Sequence, residues 1–141
     1  MFKRWINSGV LGAPIYRDEK EFLRSRGNAI LDGSDTQLGN FARTYLNYTG
    51  NKGLDFIAKF NNKYVVGEAK FLTDFGGHQN AQFNDAVNLL LNKDVRAVKV
   101  AILDGVLYIK GNNKMYRDIT TKYSNYNIMS ALVLKHFLYK I

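Results

Sequence analysis

The chain has 141 residues, 46% of them apolar and 13% aromatic, which is enough for one folded domain with its own core and too apolar for a disordered chain. It contains no cysteine, which excludes disulfides, zinc–thiolate centres and cysteine nucleophiles and suits a reducing cytoplasm. A balance of 20 Lys and Arg against 12 Asp and Glu leaves a net charge of +8, and such a domain attracts polyanions, of which nucleic acid is the commonest in a cell.

The first residues, Met1 to Asn7, carry Lys3 and Arg4 but lead into no long apolar run. Neither a signal peptide nor a membrane span is expected, and the chain reads as a soluble cytoplasmic protein. Its one proline, Pro14, breaks no interior helix. Arg17 to Arg26 has the charge of a surface helix, ended by Arg24-Ser25-Arg26-Gly27. Ser34 and Asp35 supply N-cap candidates for a second helix, whose apolar positions Leu38, Phe41, Ala42, Tyr45 and Leu46 recur at helical spacing, with Gly50 and Gly53 punctuating its end.

From Leu54 the period changes. Leu54 to Phe60 predicts a strand, Asn61-Asn62 a tight turn, and Tyr64 to Phe71 a second strand. A loop of small residues, Thr73 to Gly77, leads to a helix from His78 to Leu91 with Phe83, Val87, Leu90 and Leu91 on its inner face. Val98 to Leu103 is an apolar strand, Asp104-Gly105 a hairpin turn and Val106 to Lys110 the returning strand. Ile128, Ala131, Leu132, Lys135 and Leu138 give the last stretch, Tyr126 to Lys140, helical spacing. The order predicts a mixed α/β fold, one domain over residues 1–141.

Side chains on a strand alternate faces, so Glu68 and Lys70 share one face, and Val65, Gly67, Ala69 and Phe71 share an apolar one suited to the core. A carboxylate and an ammonium on a strand otherwise fit for burial are costly unless paired. The hairpin brings Asp55 within reach of Glu68, so one patch holds two carboxylates and a lysine. Two carboxylates make a hard oxygen site for Mg²⁺, which activates a water and offsets charge on a phosphate, and a lysine can orient that water. The set is chemically complete for phosphodiester hydrolysis.

Asp55 followed by Glu68-Ala69-Lys70 resembles the PD-(D/E)XK motif of type II restriction endonucleases and related nucleases, over residues 34 to 103. The resemblance implies a restriction-endonuclease-like core, a mixed β-sheet flanked by helices, that cuts double-stranded DNA with Mg²⁺. It implies Asp55, Glu68 and the backbone carbonyl of Ala69 as metal ligands, with Lys70 positioning the attacking water. In several families of this fold a glutamate on an earlier helix adds a ligand, which makes Glu21 a further candidate beside Glu19. The segment after the lysine commonly approaches DNA. Thr73, Gly76, Gly77, His78, Gln79, Asn80 and Gln82 are therefore candidate DNA contacts, and Arg43, Arg17, Arg24 and Arg26 candidate phosphate contacts. Two departures stand out. Leu54 replaces the proline of the motif, and the strand expected before the Asp-bearing strand is not evident beyond a stub at Tyr45 to Thr49.

A palindromic target and a small chain imply a homodimer, and exposure of Leu134, Phe137 and Leu138 on the last helix is where an interface would show. Other readings stay open. Asp55, Glu68 and Lys70 also suit a salt-bridge cluster on an exposed sheet, and Gly76 to Asn80 an ordinary turn with Asn80 as helix cap. The same motif serves structure-selective nucleases, such as a Holliday junction resolvase or a repair nuclease. A basic nucleic-acid-binding protein without activity would bind DNA in a salt-dependent way and cut nothing.

Overall fold

The aromatic and aliphatic run from Phe56 to Phe60 and the run after Asn61-Asn62 form the central hairpin of the fold. The computed structural model describes residues 1–73, 77–105, 117–118, 121 and 125–141, with residues 77–79 described through their backbone. Asn61 and Asn62 both take positive φ, 54° and 65°, the geometry of a type I′ turn that asparagine tolerates well.

Among the described residues the strands are β1 (Ile15–Tyr16), β2 (Ala29–Leu31), β3 (Phe56–Phe60), β4 (Lys63–Leu72), β5 (Val98–Gly105) and β6 (Ile128–Met129). They form one six-stranded mixed sheet in chain order. β2, β3 and β4 pair antiparallel, whereas β1–β2, β4–β5 and β5–β6 pair parallel. The helices are α1 (Phe2–Asn7), α2 (Glu19–Arg24), α3 (Asp35–Tyr45), α4 (Gly77–Leu91) and α5 (Ala131–Leu138). The crossover from β4 to β5 runs through α4, as a parallel pair requires.

Helices cover both faces of the sheet. Phe22, Phe41, Leu38 and Leu89, from α2, α3 and α4, pack on Leu31, Ile57 and Val66. Ile6, Leu134 and Leu138, from α1 and α5, pack on Phe56, Ala58, Val65 and Ile102. This two-sided cover explains why all five residues of β3 are buried where a half-exposed strand would alternate. Each fully buried phenylalanine, Phe22 and Phe56 among them, contributes about 1.5–3 kcal/mol.

Several elements depart from the sequence expectation. The strand before the Asp-bearing strand is β2, antiparallel to β3, with β1 beside it, while Tyr45 to Thr49 holds the end of α3 and a loop. Ala29-Ile30-Leu31 is too short to show a period. Asp104 and Gly105 form no hairpin turn but continue β5 in register with Phe71 and Leu72. The Gly105 φ of +103° suits the end of that strand, where a Cβ would stand 1.9 Å from the Leu72 carbonyl oxygen. The expected returning strand, Val106 to Lys110, lies outside the described residues. The last helix starts at Ala131, capped by the Ser130 hydroxyl, because Ile128 and Met129 are drawn into the sheet beside β5. Leu91 is 44% exposed, and Leu89 takes the inward place expected of it.

Lys59, buried in β3, has a structural post. Its ammonium donates to the carbonyls of Phe22, Leu23 and Ser25 at 3.2, 3.3 and 2.8 Å, closing the carboxyl end of α2. It also lies over the rings of Phe22 and Tyr64. Burial lowers its pKa from the usual lysine value.

Candidate active site

The Asp55 carboxylate is positioned by the backbone on both sides of it. Leu54, fully buried, donates its amide to the Asp35 carbonyl at 3.0 Å, and Asp55 donates its own to the Gly67 carbonyl at 3.1 Å. Gly53 lies flat on the first turn of α3, where a Cβ would come within 2.5 Å of the Asp35 carbonyl oxygen. β3 begins one residue later, so the Ala69 amide of β4 faces no strand partner there. The Asp55 Oδ2 accepts from that amide at 2.8 Å.

This arrangement sets Asp55 beside Glu68 and Lys70, the three residues that the sequence singled out. Glu68 lies on the α3 and α4 side of the sheet, 9% exposed, in a cavity of about 150 Å³ lined also by Tyr48, Lys52, Asp85 and Asn88. Its pKa is pushed up from 4.5 to about 9 by burial, then by the charge of Asp55 and a side-chain hydrogen bond to it, and more weakly by Asp35. Lys70, whose Nζ is 3.9 Å from the Glu68 Oε2, pulls the other way and is outweighed. Burial and the neighbouring carboxylate thus favour the protonated form of Glu68, which is hydrogen-bonded to Asp55. A pair of oxygen donors that holds a proton in this way fits a hard divalent cation, which would replace the proton and offset both charges. Among the described residues, no cluster of three His, Cys, Asp or Glu side chains could hold a metal. A site here therefore draws on backbone or water for its remaining ligands.

Asp55 and Lys70 are also among the residues lining a second cavity on the α1 and α5 side, about 820 Å³ in volume, together with Ala69, Asp35, Asp104, Trp5 and Phe71. The two cavities meet the end of β4 from opposite faces.

The other candidates are placed unevenly. Asp35, read from the sequence as a helix cap, lines the large cleft, acts electrostatically on Glu68 and ion-pairs with Lys3. The cap itself is Ser34, whose hydroxyl accepts from the Gln37 amide while Gln37 reaches back to the Ser34 amide. That leaves Asp35 to face the cleft, where it pairs with Lys3. Glu21 is exposed on α2 and lines neither cavity, and Glu19 shares that helix.

Arg43 braces the loop that leads to Asp55. Its guanidinium donates to the carbonyls of Gly50 and Lys52 at 2.7 and 3.1 Å and to Asn40, and it lies over the Tyr48 ring. Arg17 ion-pairs with Asp32, and Arg24 and Arg26 are exposed. Thr73 follows β4 and is exposed. Gly76 lies outside the described residues. Gly77, His78 and Gln79 open α4, with Asn80 and Gln82 half-buried in its first turns, so Asn80 is inside the helix and does not cap it. Lys52, which the sequence reading passed over, bonds Asp85 of α4 at 2.7 Å across the Glu68 cavity.

Of the three α5 residues whose exposure would mark an interface, Phe137 is half-buried and the other two are Leu134 and Leu138. Both are fully buried against the sheet, and the exposed apolar residues of α5 are Leu132 and Val133. No described helix is long and apolar enough to cross a membrane.

The family model of the Tsp45I type II restriction enzyme matches residues 1–141. No curated protein and no solved structure matches.

Proposed function

Given that the chain belongs to the Tsp45I type II restriction enzyme family, a family of DNA-cutting nucleases, we propose that residues 1–141 form a single nuclease domain. It cuts double-stranded DNA at a specific site with Mg²⁺, through Asp55, Glu68 and Lys70. The observation that carries this reading is the Asp55–Glu68 pair itself. Two carboxyl groups joined by a hydrogen bond stand beside an ammonium group 3.9 Å from Glu68, near the end of a strand that lines a cleft.

In this reading Asp55 and Glu68 hold the metal. The Ala69 carbonyl supports them, because its amide is already turned toward Asp55 and a strand residue presents both peptide groups to the same neighbour. Bound there, Mg²⁺ supplies an activated water and offsets negative charge at the phosphorus. Lys70 orients the attacking water and pairs with the charge that develops on the scissile phosphate. Asp55 keeps its orientation through the Ala69 amide, and Arg43 keeps the loop before it in place.

Base recognition falls to Thr73 through Gln82, which connect the candidate catalytic strand to α4. In this reading the same domain both reads and cuts. A palindromic target would be met by a homodimer with one such site in each subunit. Incubation of the purified chain with long linear and supercoiled DNA, in Mg²⁺ and in EDTA, tests the reading. Discrete fragments that require Mg²⁺ support it, and intact DNA under both conditions contradicts it.

A further inference from the structure

Phe71 directly follows Lys70 on β4 and is 64% exposed, on a strand that is otherwise largely buried. It lines the cleft of about 820 Å³ together with Trp5, Ile102 and Leu132. Leu132 is 91% exposed in the first turn of α5, and Val133 after it is exposed as well. Leu134 and Leu138 hold α5 to the sheet, so Leu132, Val133, Lys135 and His136 form its outer arc. An exposed apolar ridge beside an apolar cleft marks a contact surface.

The charges on this surface decide what it contacts. Asp35, Asp55 and Asp104 line the cleft. Lys3 is engaged with Asp35, and the Lys70 ammonium is turned to Glu68, on the face of β4 opposite Phe71. Asp55 is hydrogen-bonded to the Ala69 amide and to Glu68. Asp104 accepts from the Ala131 amide at 3.0 Å and has no ion pair among the described residues. The cleft is therefore acidic on a chain whose net charge is +8, and it repels a polyanion. The outer arc of α5 has the opposite sign: Lys135 is exposed, and it too has no ion pair among the described residues. Ridge and cleft match in polarity and in charge. Because Leu132 belongs to both, the surface matches itself, which is what a two-fold contact between identical chains requires.

We propose that a second copy of the chain seats here. The Leu132–Val133 ridge of each copy enters the cleft of the other, and Lys135 faces the Asp104 of that other copy. The proposal rests on the homodimer of the nuclease reading and says where it forms. Glu68 and Lys70 lie on the other face of β4 and stay open to DNA, so two cutting sites flank one axis, as a palindromic target needs.

Sedimentation of the purified chain without DNA, over a range of concentrations, tests the contact. Wild type should show a doubled mass. Trp5, the only tryptophan and part of the cleft lining, should shift its emission to the blue as the copies associate. Leu132 is too exposed to hold the fold together, so Leu132→Glu should stay folded and weaken association about ten- to hundredfold, the worth of one buried apolar side chain. Asp104→Asn keeps an oxygen for the Ala131 amide and loses only the charge. Lys135→Glu should therefore weaken association strongly beside Asp104 and much less in the Asp104→Asn background. A wild type that stays monomeric at every concentration overturns the proposal, even where that monomer cuts DNA. A doubled mass that survives Leu132→Glu, or equal effects of Lys135→Glu in both backgrounds, also overturns it and leaves the homodimer to another surface. A Leu132-dependent doubled mass in a chain that cuts no DNA keeps the contact and rejects the nuclease reading alone.

Discussion

The Asp55 carboxylate and the Ala69 backbone amide are joined by a 2.8 Å hydrogen bond across the gap where β3 stops short of β4. A strand end that lacks a neighbour is thereby closed by a side chain, and the carboxylate is aimed at Glu68. Asp55→Asn can accept the same bond through its amide oxygen, so the fold should persist while the charge is lost. The expected result is an unchanged unfolding midpoint and DNA cutting slower by about 10²–10³-fold, the range for removing one electrostatic partner of a transition state. Wild-type cutting by Asp55→Asn would remove Asp55 from the mechanism.

Glu68 makes the stability of the metal-free protein depend on pH. Its folded pKa of about 9 lies above the ordinary value of 4.5, so between these values the folded state holds a proton that the unfolded chain gives up. The contribution is full below 4.5 and is lost as the pH rises toward about 9. Urea midpoints in EDTA should therefore fall across this window. Glu68→Gln should flatten the slope, and Mg²⁺ should raise stability most at the alkaline end, since it binds the folded state. A wild-type midpoint as flat as that of Glu68→Gln would contradict the buried proton.

Gly53 lets the chain pass flat against α3 on its way to Asp55. In Gly53→Ala the new Cβ must displace the Asp35 backbone, and overpacking of this kind costs about 1–3 kcal/mol. Because Asp55 follows two residues later, cutting by the folded fraction should fall as well. Denaturant titration with parallel digestion of DNA separates the two effects, and an unaltered midpoint would show that the contact yields freely.

Lys59 predicts the opposite combination. Lys59→Met keeps the apolar stem but leaves the carbonyls of Phe22, Leu23 and Ser25 without their donor, at a cost of about 1–3 kcal/mol. Cutting per folded molecule should not change, because α2 lines neither cavity that meets the Asp55–Glu68 pair. A stable variant with impaired cutting would reverse that assignment.

The sequence carried the central hairpin, α3, α4 and the Asp55, Glu68, Lys70 set, because each rests on local signals: the Asn61-Asn62 turn, the Ser34 cap, helical periodicity and residue spacing. It missed what depends on tertiary pairing. β1, β2 and β6 have two or three residues each, too few for a period, and exist only through the strands beside them. Phe71 looked like a core residue because alternation put it on an apolar face. Both faces of the sheet are in fact covered, and β4 runs past that cover at Phe71. Asp35 was hidden behind its neighbour: two capping residues stand side by side, and only the fold decides which one caps and which one faces the cleft.

Digestion of long DNA by wild type, Glu68→Gln and Lys70→Ala, each in Mg²⁺ and in EDTA, tests the central claim most directly. Discrete fragments from wild type in Mg²⁺ alone, with both variants folded and slower by about 10²–10³-fold or more, are the predicted result. Fragments of equal yield from either variant would show that the chemistry of this chain lies elsewhere.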